Sequence, residues 1–186
     1  GQIATTVLNL LGYDAINLKY GMMGWTQDDT VLATKRYGPE TARDYRVETE
    51  ANEATETYDF PTVSTGGADD FEIVRIAADN YVKNAPSPII GADTLFENMG
   101  DGDASNDFVI VSVRSPDHYA IGHIPGAINI PWKTVAKSEN MAKLPPDKPI
   151  AVYCYTGHTG MAAATVLGMM GYETHNLKFG MMGWTL

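Results

Sequence analysis

The fold is decided by the stretch Pro149-Ile150-Ala151-Val152-Tyr153-Cys154-Tyr155-Thr156-Gly157-His158-Thr159-Gly160, which contains the single cysteine of this 186-residue chain. Its apolar first half predicts a short buried strand, and residues 161–170 predict a helix that ends at Gly171. Cys154 therefore lies on a short loop between the carboxyl end of a strand and the amino end of a helix. The free N–H groups of such a loop favour a thiolate, so Cys154 is a candidate nucleophile.

An inert core cysteine is the alternative interpretation, because free cysteines are more often buried small hydrophobes than reactive groups. A core cysteine is usually followed by further apolar strand. Here the residues after Cys154 are polar or small, and Gly157 permits a tight loop. The pattern favours the reactive role.

Three motifs of the chain resemble those of the rhodanese-like sulfurtransferases. Residues 154–159, Cys-Tyr-Thr-Gly-His-Thr, resemble the six-residue active loop of that family. Residues 109–131 resemble its second signature, with Ser-Val-Arg where the family has Asp-Val-Arg, followed by Gly-His-Ile-Pro-Gly-Ala. Residues 180–184, Gly-Met-Met-Gly-Trp, are similar to its closing glycine-rich turn and tryptophan. The motifs come in the family order, and the resemblance covers residues 87–186.

The resemblance implies sulfur transfer through a persulfide on Cys154, without a cofactor. The thiolate would take sulfur from a small donor such as thiosulfate or a polysulfide and pass it to a thiol or cyanide-type acceptor. Backbone N–H groups of the loop would stabilise the anionic intermediate. The loop residues expected to bind the substrate are Tyr155, Thr156, Gly157, His158, Thr159 and Gly160.

Two further residues are expected to support the site. In the resembling family the arginine at the position of Arg114 is chiefly structural, and Asp117 is the acidic residue expected to pair with it. Ser112 replaces the usual aspartate, which removes one bracing group.

The loop departs from the family pattern at Thr159. Many active sulfurtransferases of the family carry a basic residue there, so the identity of the donor stays open. His158 is expected to shape the rim of the loop rather than to act as a base, since loop amides already stabilise a thiolate. Met181 and Met182 are either an apolar wall beside the pocket or ordinary core residues.

The order of predicted elements downstream of Ile89 favours an α/β fold. Strands and helices alternate, which is typical of a mainly parallel sheet, and the resemblance implies a rhodanese-like three-layer sandwich. Ligands of such sheets bind outside the carboxyl ends of the strands, where Cys154 lies. The expected helices are 91–98, 133–141 and 160–170, and the expected strands are 108–113, 127–130, 150–153 and 174–177.

The chain contains an internal duplication. Residues 1–26 repeat residues 160–185, with 16 of 26 positions identical. We expect residues 1–26 to be the carboxyl-terminal remnant of a first rhodanese repeat, and to form a helix, a strand and a Gly-Met-Met-Gly-Trp turn. The predicted helix has an apolar stripe at helical spacing that must be covered. A retained fragment of the first repeat, a second copy of the chain, or the complete domain itself would cover it.

Between the remnant and the complete domain, residues 27–69 are expected to be a solvated connector with short extended pieces. The complete domain is expected to span residues 70–186. It would begin with a helix from Asp70 to Val82 that Asp70 caps, and Pro86-Ser87-Pro88 would end the linker.

Composition excludes several classes of partner. A net charge of −10 disfavours nucleic acid and anionic membranes, because their phosphates would repel the chain. A single cysteine excludes an intrachain disulfide, and four scattered histidines give no spacing typical of a metal site. No apolar run approaches the roughly 20 residues of a membrane span.

Two rival functions deserve comparison with sulfur transfer. A phosphatase or arsenate reductase of this fold would need an arginine six residues after the cysteine, where this chain has Gly160, so its oxyanion would lack a clamp. A sulfur carrier or protein-binding module with little thiosulfate turnover stays open, because the loop lacks a cation.

Overall fold

The computed structural model describes residues 1–85 and 87–186, and within them five strands form one all-parallel sheet in the order β1-β5-β4-β2-β3. The predicted α/β fold with a mainly parallel sheet is confirmed. The strands are β1 (Ile89–Ile90), β2 (Val109–Ser112), β3 (Ile128–Asn129), β4 (Ile150–Tyr153) and β5 (Thr174–Leu177).

Helices cover both faces of the sheet and continue beyond it at the amino terminus. They are α1 (Gln2–Leu10), α2 (Met22–Trp25), α3 (Asp29–Leu32), α4 (Asp70–Asn84), α5 (Ala92–Asn98), α6 (Pro116–Ile121), α7 (Ser138–Met141), α8 (His158–Met169) and α9 (Met181–Trp184), with a 3-10 helix at Trp132–Thr134.

The central strand β4 shows how the sheet forms two cores. Successive side chains of a strand point to opposite faces. Ile150 and Val152 therefore pack with α7 and α8 in one apolar cluster. Ala151 and Tyr153 pack with α5, α6 and α9 in a second cluster on the other face. All four residues are buried, which explains their continuous apolar run.

Two predicted helices differ from the structure in detail. The expected helix at 133–141 is divided, because Lys137 is extended (φ −72°, ψ 137°) and the carbonyl of Thr134 accepts a side-chain N–H of Asn140. The helix expected from Asp70 is present as α4, but its cap is Asp69, whose carboxylate accepts the N–H of Glu72 at 2.8 Å. Of the proposed linker end Pro86-Ser87-Pro88, Pro86 lies outside the described residues.

The first copy of the duplication, residues 1–26, keeps its helix and its turn but not its strand. Helix α1 and the α2 turn match α8 and α9, whereas residues 15–18 are irregular in the described structure. The strand prediction for this segment was wrong because β5, its counterpart, pairs with β4 and β1. Residues 15–18 have no such neighbours within the described chain.

The connector, residues 27–69, is not merely solvated, since it contacts the domain along its length. Arg43 holds the carboxylate of Asp93 through two bonds of 2.6 Å, and the Tyr45 hydroxyl donates to the same carboxylate at 2.7 Å. The Tyr45 ring stacks on Phe96 at 4.0 Å between centroids. Further along, the indole N–H of Trp184 donates to the carbonyl of Arg46 at 3.0 Å. The connector thereby covers the outer side of α5 and α9.

No helix among the described residues is long and apolar enough to cross a membrane.

Replacing Asp93 with Asn should weaken the docking of the connector. Hydrogen bonds from Arg43, and then from Tyr45, lower the pKa of Asp93 from 3.8 to about 2. Because the folded-state pKa is the lower one, this contribution is complete above pH 3.8 and is lost as the pH falls through about 2. The pair is partly exposed, so we expect a loss of about 0.5–1 kcal/mol in the free energy of unfolding at neutral pH.

Urea unfolding followed by circular dichroism would measure this loss. Asp59→Asn, which changes an exposed carboxylate of the same connector, is the matched control and should have little effect. Equal unfolding free energies for Asp93→Asn and the parent protein would contradict the role of this pair.

Candidate active site

Cys154 follows β4 directly and lies beneath the loop that leads into α8. Its side chain is 1% exposed, and its Sγ accepts the N–H of Gly157 at 3.1 Å. Gly157 makes this approach possible because its backbone is left-handed (φ 92°), a conformation that favours glycine. The sulfur therefore lies against a backbone donor just before the amino end of a 12-residue helix, where negative charge is stabilised.

A turn of the second copy holds the cysteine loop from one side. The N–H groups of Met181 and Met182 donate to the carbonyls of Cys154 and Tyr155 at 2.9 and 3.0 Å. A side chain at Gly180 would collide with the Cys154 carbonyl, so this close approach requires glycine. Met181 and Met182 thus act on the loop through their backbone.

The matching turn of the first copy contacts the loop at His158. The N–H of Tyr20 donates to His158 Nε2 at 3.0 Å, and the two rings meet edge to face with centroids 5.4 Å apart. On the other ring nitrogen, Nδ1 lies 2.9 Å from the hydroxyl of Thr156. Because Nε2 accepts a hydrogen bond, the single N–H proton of the neutral imidazole is on Nδ1. His158 therefore links the active loop to residues 1–26.

The protonation of His158 follows from this position. Burial lowers the pKa of His158 below its ordinary value of 6.5, and the charge of Lys19 lowers it further. A neutral imidazole is consistent with its role as acceptor for Tyr20. Both ring nitrogens of His158 have partners other than the thiol, namely the N–H of Tyr20 and the hydroxyl of Thr156.

Arg114 is buried beside the loop but does not pair with Asp117. The guanidinium donates to the carbonyl of Gly122 at 2.5 Å and lies 5.5 Å and 5.8 Å from the ring centres of Tyr153 and Tyr155. Asp117 is exposed in the first turn of α6, and no ion pair joins it to Arg114 in the described structure. The expected pairing was wrong because α6 begins at Pro116 and leaves the carboxylate in solvent.

A second contact of the loop was missed by sequence reasoning. The Tyr155 hydroxyl lies 2.6 Å from His118 Nδ1 and accepts the N–H of Ser115 at 3.3 Å. Ser115 and His118 follow β2, which pairs with β4. Because the carboxyl ends of adjacent parallel strands meet at one edge of the sheet, polar residues after β2 were a signal for this contact.

A cavity of about 620 Å³ lies between the loop and the two copies of the turn. Thr156, Gly157 and His158 line it, whereas Cys154 does not. Its charged lining residues are basic, and no carboxylate occurs among its described lining residues, although the chain has a net charge of −10. Those basic residues are Lys35, Arg36 and Lys178.

Thr159 lies in the first turn of α8 and is partly buried. Gly160, the next residue, is buried against Asn176, whose side chain would collide with a Cβ there. The loop therefore presents backbone donors and no basic side chain of its own. Among the described residues, no group of three or more His, Cys, Asp or Glu side chains is arranged to hold a metal ion.

A parallel sheet with a cysteine loop between β4 and α8 defines an α/β sandwich protein with one candidate reactive thiol. A model of the rhodanese-like domain family matches residues 92–186, half of the chain. The chain belongs to the rhodanese-like domain family, as the three motifs predicted.

Related proteins support sulfur transfer in general terms. The thiosulfate sulfurtransferase PspE of Escherichia coli is 43% identical over 67 residues, which cover 35% of this chain and 62% of that protein.

An HTH-type transcriptional regulator of Mycobacterium tuberculosis is 33% identical over 125 residues, which cover 62% of this chain and 54% of the regulator. The chain thus spans about half the length of that relative.

Among solved structures, a rhodanese-like domain protein from Staphylococcus aureus is similar to this chain, with a TM-score of 0.46 and 25% identity. The match covers 51% of this chain and 88% of that protein.

The contact between Tyr20 and His158 should depend on pH. Since the folded-state pKa of His158 is lowered below 6.5, the contact is complete above pH 6.5 and is lost as the pH falls through the lowered value. Hydrogen exchange of the peptide that contains Tyr20, corrected for intrinsic rates, should therefore become faster as the pH is lowered stepwise from above 6.5 through the range below it.

His158→Gln is the control, because an amide oxygen can accept the same N–H without titrating. Exchange in this variant should not change with pH beyond the intrinsic effect. A similar acceleration in His158→Gln would show that another group is responsible.

Proposed function

We propose that this protein is a sulfurtransferase that moves sulfane sulfur through a persulfide on Cys154. The observation that carries the proposal is the position of the Cys154 sulfur, 3.1 Å from the N–H of Gly157 in a loop that opens α8. A helix amino terminus and loop amides favour both the thiolate and an anionic persulfide. Membership of the rhodanese-like family supports the same chemistry.

The first step is a displacement at sulfur. The Cys154 thiolate attacks the outer sulfur of a donor such as thiosulfate, and a new S–S bond forms. The S–S bond of the donor breaks, and its electron pair leaves with sulfite. The enzyme then holds Cys–S–S⁻, whose negative charge is on the outer sulfur, one bond beyond the Cys154 sulfur.

The second step returns the enzyme to its starting state. An acceptor thiolate, or cyanide, attacks the outer sulfur of the persulfide, and the electron pair of the broken S–S bond returns to Cys154. No cofactor enters either step. The loop amides stabilise one negative charge on the enzyme before and after each transfer, first on the Cys154 sulfur and then on the outer sulfur.

A sulfur carrier or protein-binding module with little thiosulfate turnover is the second candidate. Two observations favour it over a general thiosulfate enzyme. Thr159 gives the loop no charge to attract a dianion, and Cys154 is 1% exposed. Both features weaken the capture of free thiosulfate.

Sulfur uptake tests the first step directly. After incubation with thiosulfate or a polysulfide, the Cys154 peptide should gain about 32 Da, the mass of one sulfur atom in the covalent intermediate. Mass spectrometry before and after treatment with a reductant would measure the gain, because the reductant removes the outer sulfur. Uptake by Cys154→Ser, or no uptake by the parent protein from either donor, would refute the proposal.

Replacing Thr159 with Arg tests the choice of donor. One unit charge near the dianion is worth about 1 kcal/mol in a water-like environment, so the KM for thiosulfate should fall about fivefold. The KM for a polysulfide donor should change less than the KM for thiosulfate. Thr159→Gln, which is similar in reach but neutral, is the control, and an equal effect from glutamine would contradict the electrostatic explanation.

A further inference from the structure

The first copy of the duplication exposes large apolar side chains that a folded protein normally covers. We call four of them the uncovered face. Leu8 is 40% exposed, Tyr13 64%, Leu18 52% and Trp25 75%. They span the helix α1, the segment after it and the α2 turn, so the face runs along the whole first copy.

The same four residue types are buried at the equivalent positions of the second copy. These counterparts are Leu167, Tyr172, Leu177 and Trp184, with exposures of 0, 4, 0 and 0%. Identical side chains in a duplicated sequence thus have opposite burial. The difference lies in what surrounds each copy, because the sequences at these positions are the same.

The local backbone of the two copies also agrees. The last residues of α1 and α8 continue into Leu11 (φ −86°, ψ 7°) and Met170 (φ −87°, ψ 7°). The turns begin at Gly21 (φ 53°, ψ −137°) and Gly180 (φ 57°, ψ −143°). The helix end and the turn of the first copy therefore already have the backbone conformation that the second copy uses inside a complete domain.

The surroundings of the second copy show what covers such a face. Leu167 and Tyr172 pack in the cluster built by β2 and β4 on one side of the sheet. Leu177 and Trp184 pack in the cluster on the other side, with α5 and α6. These strands and helices come from residues 87–159, which precede the second copy, and Tyr45 and Arg46 of the connector add further contacts to Trp184. We call residues 87–159 the front half.

The backbone between α1 and α2, like the side chains of the uncovered face, lacks the neighbours that its counterpart has. Its counterpart, β5, is paired on both sides, with β1 and with β4. Residues 15–18 form no ladder within the described chain. A front half would supply both neighbouring strands and would convert this segment into a strand.

The uncovered face is also held in place by the complete domain. Elsewhere on α1, Ile3 and Val7 pack against Ala78, Tyr81 and Met169. At the turn, the N–H of Tyr20 bonds to His158. The first copy is thus anchored through Ile3, Val7 and Tyr20, while the side chains of the uncovered face stay exposed, with Leu18 also bordering the cavity beside the loop.

We propose that the uncovered face docks a rhodanese front half, a unit that offers an apolar parallel strand like β4 together with helices like α5 and α6. Leu8, Tyr13 and Leu18 then gain the sheet and helix neighbours that their identical counterparts have, and Trp25 gains those of Trp184 other than the connector residues Tyr45 and Arg46. The completed unit would be a second rhodanese-like domain, joined to the first through α1, α4 and α8. The proposal does not depend on the sulfur chemistry of Cys154.

A fusion tests this proposal without relying on affinity. A second set of residues 87–159 is joined ahead of Gly1 of the full chain, which recreates the junction between Thr159 and Gly160. We expect hydrogen exchange at residues 15–18 to become as slow as at residues 174–177, and the emission of Trp25 to shift to shorter wavelength. Unchanged exchange at residues 15–18, with the original domain still protected, would overturn the proposal.

Two variants of the fusion make the result specific. Leu18→Asp places a charge in the new core, and burying leucine normally contributes about 1.5–3 kcal/mol, so protection of residues 15–18 should fall at least about tenfold. Ile121→Asp in the original domain changes an equally apolar side chain that is 76% exposed and lies outside the face, and it should have no effect.

Self-association of the unfused chain is the competing outcome. Sedimentation over a range of concentrations should show a monomer. A dimer of the parent chain that Leu18→Asp dissociates would mean that a second copy covers the face, and would overturn the front-half proposal.

Discussion

The burial of β4 in the middle of the sheet is the constraint on which the site depends. All four of its residues lie in the core, so the chain must leave the sheet abruptly after Tyr153. The carbonyls of Cys154 and Tyr155, which follow the strand, are no longer hydrogen-bonded to a neighbouring strand, so they need hydrogen-bond donors from another part of the chain. The amides of Met181 and Met182 provide them. The position of the thiol is thus fixed by a turn far along the chain.

The duplication separates what local sequence determines from what tertiary contacts determine. Both copies form the helix and the Gly-Met-Met-Gly-Trp turn, so these elements follow from the local sequence. The strand forms in the second copy alone, because a strand needs hydrogen-bonded neighbours. The strand β4 could be predicted from its apolar run, the helix α8 from its apolar residues and the glycine after it, and the strand β5 from the alternation of elements. The strand at residues 15–18 could not, since its sequence contains no information on missing neighbours.

The site shows the same division. The tight loop at Gly157 could be predicted, because it rests on a glycine three residues after the cysteine. The pairing of Arg114 with Asp117 was predicted wrongly, since the start of α6 at Pro116 decides where the carboxylate points. The contact between Tyr20 and His158 could not be foreseen at all. It joins residues 138 positions apart, and neither residue carries a local signal of the other.

The electrostatic character of the site also comes from outside the loop. A loop with Thr159 offers backbone dipoles, which stabilise a charge at the sulfur but attract a distant anion weakly. The basic side chains nearby belong to other segments. Lys35 lies in the connector, and Lys178 lies in the second copy of the duplication. The cavity that they line is closed on its far side by the first copy, through Leu18 and Tyr20. The basic residues beside the loop and the backbone donors at Cys154 are therefore supplied by different parts of the chain, and residues 1–26 reach both, since they line the cavity and bind the loop at His158.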